Sequence, residues 1–141
     1  AAYRGKVQLI YLDPPFGTGD VFHSKIGAGH VKLSLPTYSD TMEVSAYLDW
    51  MRMILSGARE LLSESGSLYL HIDFRMSAKL RLMLDEIFGE QNFMNEIVWC
   101  YKSGGRATKY YPRKHDTILF YRKSARVFFD ITAVGRPRGL E

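Results

Sequence analysis

At 141 residues, 46% hydrophobic and 24% charged, the chain is long enough to bury one core and too apolar to stay disordered. Its apolar runs fall short of the ~18 residues of a membrane span, no signal-peptide pattern opens it, and a single cysteine excludes an internal disulfide, so a cytoplasmic protein away from membranes is expected. The net charge of +4 is uneven: residues 1–95 carry nine Lys/Arg against eleven Asp/Glu and residues 96–141 ten against four, a basic end that suits nucleic acid or a solvated face.

The first predicted strand is Val7–Leu12, rich in β-branched and aromatic types. It must stop at Asp13, because Pro14 and Pro15 remove two backbone donors in succession and exclude a helix. Their fixed φ angles hold the carbonyls of Asp13 and Pro14 and the ring of Phe16 in a rigid projecting turn. In open α/β sheets ligands bind beyond the carboxyl ends of strands, so an acid, two fixed carbonyls and an aromatic plane share a place where chemistry is done. Turn chemistry alone is the plain alternative, since Asp-Pro is common at strand exits.

Gly17 to Asp40 lacks clear periodicity and is broken by Gly17, Gly19, Gly27, Gly29 and Pro36, so it reads as a 24-residue loop beginning beside the acid and suited to gating a substrate. His23 and His30 read as solvated loop residues, and no spacing there resembles a metal site. Asp40, with Glu43 three residues on, gives a capping-box-like start to an amphipathic helix. Its stripe is Val44, Leu48, Met51, Leu55, Ala58 and Leu62, and it ends near Ser63 with Gly66 as its stop. A strand over Ser67–Ile72 follows, then a helix over Ser77–Phe88 with Leu80, Leu84 and Ile87 inward and Gly89 as terminator. This β-α-β-α order predicts a parallel pair with a right-handed crossover, which sets Asp13 and Asp73 at one carboxyl edge.

Asn95–Tyr101 and Asp116–Lys123 read as strands joined by Lys102–His115 without a helix, which predicts an antiparallel pair. Cys100, in the first of them, reads as a small core or half-buried residue. The connecting loop interleaves Lys102, Arg106, Lys109, Arg113 and Lys114 with Tyr110 and Tyr111. Cations suit phosphate contact and aromatic rings suit base stacking; an exposed charged loop is the equal alternative. Residues 1–133 thus form one α/β domain, and residues 134–141 read as a linker end in which Leu140-Glu141 looks like a cloning remnant.

Asp13-Pro14-Pro15-Phe16 after an apolar strand resembles motif IV of the S-adenosylmethionine-dependent DNA amino-methyltransferases, which modify adenine N6 or cytosine N4. The stretches Ala58–Leu62, Gly66–Asp73, Leu84–Gly89, Asn92-Phe93, Asn95–Trp99 and His115–Tyr121 are similar to the catalytic half of the β-group and type III modification enzymes, so the resemblance covers nearly the whole chain. Phe16 stands where Tyr is more usual, keeping the stacking face and losing a hydroxyl. The Phe-x-Gly-x-Gly cofactor element of the β group has no match here, so the likeness is to an N-terminal catalytic half, and the isolated chain is expected to be inactive.

The resemblance implies a partial Rossmann-like methyltransferase sheet with Asp116–Lys123 between Ser67–Ile72 and Asn95–Tyr101 and with Val7–Leu12 at an edge. It implies S-adenosyl-L-methionine as cofactor, double-stranded DNA as substrate, and a restriction subunit and a second copy of the chain as protein partners. Catalytic roles fall to Asp13, Pro14, Pro15 and Phe16: Asp13 and the Pro14 carbonyl each accept a hydrogen of the target amine, and Phe16 stacks on a flipped-out base that Tyr110 or Tyr111 closes from the other side. Thr18, His71 and Asp73 resemble residues lining the methionine end of the cofactor, with a supporting core histidine as the other reading of His71. Asp at the motif's first position implies adenine N6. Two other functions fit these residues: an inactive DNA-binding or assembly module on a methyltransferase scaffold, and methylation of RNA or a protein side chain through a similar turn.

Overall fold

The computed structural model describes residues 2–16, 43–102 and 107–134, with the backbone alone of residues 21–26 and 33–39. Thr18, His30, Asp40, Arg106 and residues 135–141 lie outside the described residues.

The sheet lays its strands side by side in the order β1 (Val7–Leu12), β4 (Leu62–Asp73), β6 (His115–Arg122), β5 (Phe93–Cys100). β1 runs parallel to β4, with Leu12 opposite Leu70, while β6 is antiparallel to both β4 and β5. The predicted order and senses are therefore observed, with β1 at an edge. Two helices, α1 (Val44–Leu61) and α2 (Ser77–Phe88), lie against one face. Met51, Leu55, Leu80 and Leu84 close there on Leu68, Leu70, Ile72, Leu119 and Tyr121, all within one buried cluster. Side chains alternate along a strand, so Tyr69, His71 and Asp73 point away from the helices. On that far face Tyr69 stacks on Phe120 with ring centroids 4.5 Å apart, and Leu9, Tyr11 and Trp99 are exposed.

α2 is tied to the sheet by a polar clamp. The Tyr121 hydroxyl donates to the Asp85 carboxylate and accepts from Arg81 Nε at 2.7 Å, while the Arg81 guanidinium lies 3.5 Å from the Phe93 ring centroid. Burial, and then the hydrogen bond to Asp85, push the Tyr121 phenol well above its ordinary range. Gly89 ends α2 as expected, in a positive-φ conformation of 90° that glycine adopts without strain.

Several expectations are corrected. The segment read as a loop holds an antiparallel pair, β2 (Val21–Ile26) and β3 (Leu33–Ser39). Its Val, Phe, Ile, Leu and Tyr residues favour strands, and Pro36 is tolerated because a two-stranded sheet has only edges and the register shifts beside its partner His23. α1 starts at Val44, with Glu43 as its N-cap and no side-chain capping bond, not at Asp40. Val44 is consequently exposed at the first turn, and Tyr47, 1% exposed, heads the buried stripe. Gly66 does not stop the helix: the chain passes from Leu61 to Leu62 directly into β4, where Gly66 sits. A Cβ there would stand 2.9 Å from Val7 O and 2.9 Å from Leu62 Cδ2, so the close approach of β1 requires glycine. Cys100 is exposed, because the helices do not reach the outer strand β5, where only Phe93 joins the core cluster. Val134, read as the first residue of a linker end, is the last residue of a short helix, α3 (Ile131–Val134). Among the described residues no helix is long and apolar enough to cross a membrane.

Candidate active site

Parallel pairing of β1 with β4 brings Asp13 level with His71, one residue beyond the Leu12–Leu70 pair. Antiparallel pairing sets Asp116 opposite Asp73, so Asp116 is also a diagonal neighbour of His71 on the same face. The result is a row of three side chains across the carboxyl edge. His71 Nδ1 stands 3.4 Å from Asp13 Oδ1, and His71 Nε2 stands 3.5 Å from Asp116 Oδ2. Nε2 is buried and completes no hydrogen bond, so the contact with Asp116 is an ion-pair distance only.

Asp13 is the open member of the row, its side chain 58% exposed against 19% for His71 and 19% for Asp116. Pro14, Pro15 and Phe16 are each half-buried, and Phe16 packs on the edge of the core while presenting its ring edge-on to the imidazole, centroids 5.6 Å apart at 69°. Tyr11 flanks the imidazole from β1 at 6.4 Å, and burial together with the Asp13 charge raises its phenol pKa. Burial and the neighbouring Asp116 carboxylate raise the Tyr101 phenol pKa.

Asp73, assigned by resemblance to the cofactor, is 4% exposed and already engaged: it accepts from the Arg75 backbone N–H at 3.0 Å and pairs with the Arg75 guanidinium. Next to it, Phe74 receives the Arg113 guanidinium 4.8 Å from its ring centroid, and the same guanidinium lies 4.9 Å from the Tyr110 ring. The basic loop is thereby fastened to the edge that carries the acids. Lys102, Lys109 and Tyr111 are exposed, Tyr111 at 95%, and Lys114 is half-buried, its carbonyl accepting from Tyr101 N–H at 3.0 Å. Asp116, Tyr101, Phe74 and Arg75 were not among the residues singled out from sequence. The Asp73-Phe74-Arg75 and His115-Asp116 runs were visible, but only strand pairing shows that they meet.

The edge suits the cationic end of a sulfonium methyl donor, since Asp13 and Asp116 offer carboxylates there. No group of His, Cys, Asp and Glu among the described residues is arranged to hold a metal ion. Nor do these residues build a cradle for the adenosine end of such a donor: Asp73 is spent on Arg75, and both His71 nitrogens face carboxylates.

A mixed sheet ending in an acid-Pro-Pro-aromatic turn defines a methyltransferase-like α/β fold. PvuII DNA methyltransferase, a cytosine-N4-specific enzyme, shares it with a TM-score of 0.59 and 15% identity over 94% of this chain and 48% of that one. Residues 7–138 match the DNA methylase family, and the chain belongs to that family. It is 36% identical to the type II methyltransferase M.EcaI of Enterobacter cloacae over 89% of this chain and 26% of that protein. It is 33% identical to the Mod subunit of the Escherichia coli type III restriction-modification enzyme EcoP15I over 87% of this chain and 22% of that protein. The chain thus spans about a quarter of the length of these relatives.

Proposed function

We propose that the protein carrying this chain methylates the N6 amine of adenine in double-stranded DNA, using S-adenosyl-L-methionine, as the modification component of a restriction-modification system that pairs with a restriction subunit and acts as a homodimer. The observation that carries this reading is the exposed Asp13 carboxylate at the end of β1, held beside a rigid Pro-Pro-Phe turn. An exocyclic amine is a poor nucleophile while its lone pair is delocalised into the ring. Asp13 and the Pro14 carbonyl each accept one amine hydrogen, which draws the nitrogen out of plane and frees the pair. When bound, S-adenosyl-L-methionine would supply an electrophilic sulfonium methyl, and the proton that the methylated nitrogen sheds would leave through its hydrogen bond to Asp13. Phe16 offers a stacking face for the flipped base, and Tyr110 and Tyr111 stand exposed on the loop that Arg113 fastens nearby. Lys102, Arg106, Lys109, Arg113 and Lys114 take phosphates. Thr18, His71 and Asp73 are the residues that resemblance assigns to the cofactor. Asp at the motif's first position supports adenine over cytosine.

The test is to incubate the complete protein with S-adenosylmethionine and unmethylated plasmid DNA and then to quantify modified nucleosides by mass spectrometry. N6-methyladenine supports the reading, N4-methylcytosine overturns the base assignment, and neither product overturns the activity. That last result, with duplex binding retained, would favour a binding module on a methylase scaffold.

A further inference from the structure

The geometry points to His71 as the residue that positions Asp13, donating Nδ1–H to Asp13 Oδ1 so that Oδ2 stays free for the amine hydrogen. Asp13 needs such positioning only if it acts on an amine, as proposed above. An exposed aspartate at a strand end has free χ1 and χ2 rotations, and the prolines that follow fix the backbone without fixing the carboxylate. His71 is the group that faces it from the neighbouring strand, 3.4 Å away through Nδ1. Besides Asp13, the imidazole meets three groups from other parts of the chain: Asp116 from β6 at 3.5 Å from Nε2, the ring of Phe16, and Tyr11 from β1. Tyr101 neighbours Asp116 at the outer end of the row. The charged and titratable groups facing the row are therefore Asp13, Asp116, Tyr11 and Tyr101, with Asp73 and its partner Arg75 adjoining Tyr101.

Two alternatives meet the geometry less well. A ligand-lining histidine would offer a free nitrogen, yet each nitrogen of His71 faces a carboxylate and Nε2 is buried. A purely packed histidine would have no reason to sit between two acids on the face away from the helices. The separations of 3.4 and 3.5 Å are long for hydrogen bonds, as contacts around a reacting group often are before substrate closes the site.

The experiment uses the complete protein with two variants. His71→Asn keeps a donor near the Nδ1 position and loses the reach to Asp116; His71→Phe keeps the ring and removes both nitrogens. In single-turnover methylation of unmethylated plasmid DNA, His71→Phe is expected to lose about 100-fold in rate, the scale of a reacting group misplaced by about an ångström. His71→Asn should stay within about tenfold of wild type, with KM for S-adenosylmethionine unchanged in both. Phe tolerated as well as or better than Asn overturns the positioning role, and so does a raised KM for the methyl donor with the rate retained. A second measurement is independent of activity: an imidazole nitrogen–proton spectrum of the 15N-labelled protein. A protonated Nδ1 whose resonance moves on Asp13→Asn supports the contact, and an Nδ1 without a proton, or one indifferent to Asp13, overturns it. Failure of the methylation reading appears instead as an inactive wild type, with the spectrum still deciding the role of His71.

Discussion

Arg113 joins the basic loop to the acid-bearing edge, and its replacement separates two contributions that usually move together. Its guanidinium lies 4.8 Å from the Phe74 centroid and 4.9 Å from the Tyr110 centroid. An exposed cation–π contact is worth about 0.5–1 kcal/mol, so the pair contributes about 1–2 kcal/mol to ordering residues 107–114. Arg113→Ala removes both contacts and one charge. If the outer edge of the guanidinium also meets a phosphate, the slope of log affinity against log salt shrinks by about 0.9. Arg113→Lys keeps the charge and hence the slope, while its ammonium lacks the flat stacking face, so loop order falls. Lys109→Ala, at an exposed neighbouring position, should flatten the slope and leave loop order alone. Fluorescence anisotropy of a labelled duplex over a range of potassium chloride reads the slope, and hydrogen exchange over 107–114 reads the order. An Arg113→Ala protein with unaltered slope and unaltered exchange would refute both the cation–π anchor and the phosphate contact.

Asp13→Ala should lower methylation at least ~100-fold with duplex affinity nearly unchanged, because the carboxylate acts on a base amine and not on phosphate; near-normal turnover in a tritium-incorporation assay would remove Asp13 from the chemistry. Phe16→Ala should weaken the complex with a flipped base by about 1–3 kcal/mol, read with a 2-aminopurine duplex. The raised Tyr121 pKa means the folded state holds its phenolic proton more tightly than the unfolded state, so that contribution is complete below pH ~10 and fades as pH rises further. Unfolding midpoints from pH 9 to 11 should decline in wild type and less steeply in Tyr121→Phe, which also loses about 1.5–3 kcal/mol at neutral pH with its bond to Asp85. Gly66→Ala should destabilise by about 1–3 kcal/mol, measured by urea unfolding, since its Cβ would press on Val7 O.

What was legible in the sequence is what local patterns encode. The apolar run ending at Asp-Pro-Pro, the 3.6-residue stripe of Leu80 and Leu84 closed by Gly89, and the helix-free link between the last two strands gave the strand senses, while the order of the strands came from the family resemblance. Where a single punctuation residue was weighed against its neighbours, the neighbours prevailed. Gly66 reads as a stop, yet it serves the approach of β1, and the glycines around Val21–Ile26 mask two short strands whose hydrogen bonds come from each other. Val44 matches the stripe but precedes the turn that has anything to pack on. At the site, Asp13 and His71 were both picked out, separately and with different roles. Their meeting, and the arrival of Asp116, depend on pairings 58 and 45 residues apart in sequence that no local signal carries.

The junction between α1 and β4 bears on how this chain tolerates changes in length. Leu61 closes the helix and Leu62, fully buried, opens the strand, and the slack before the regular ladder begins at Ser67 is the irregular stretch 63–66 opposite Gln8. The backbone N–H groups of Gly5 and Lys6 bond to the carbonyls of Glu60 and Leu61, which pins the junction from the other side. One added residue that the stretch 63–66 does not take up would shift β4 by one position against β1 and β6 and turn Tyr69, His71 and Asp73 toward the helices. Length variants should therefore be excluded at residues 61–62 and admitted in the 101–114 connection. A library of single-codon insertions, scored for methylation, would then show a sharp gap at that helix–strand joint.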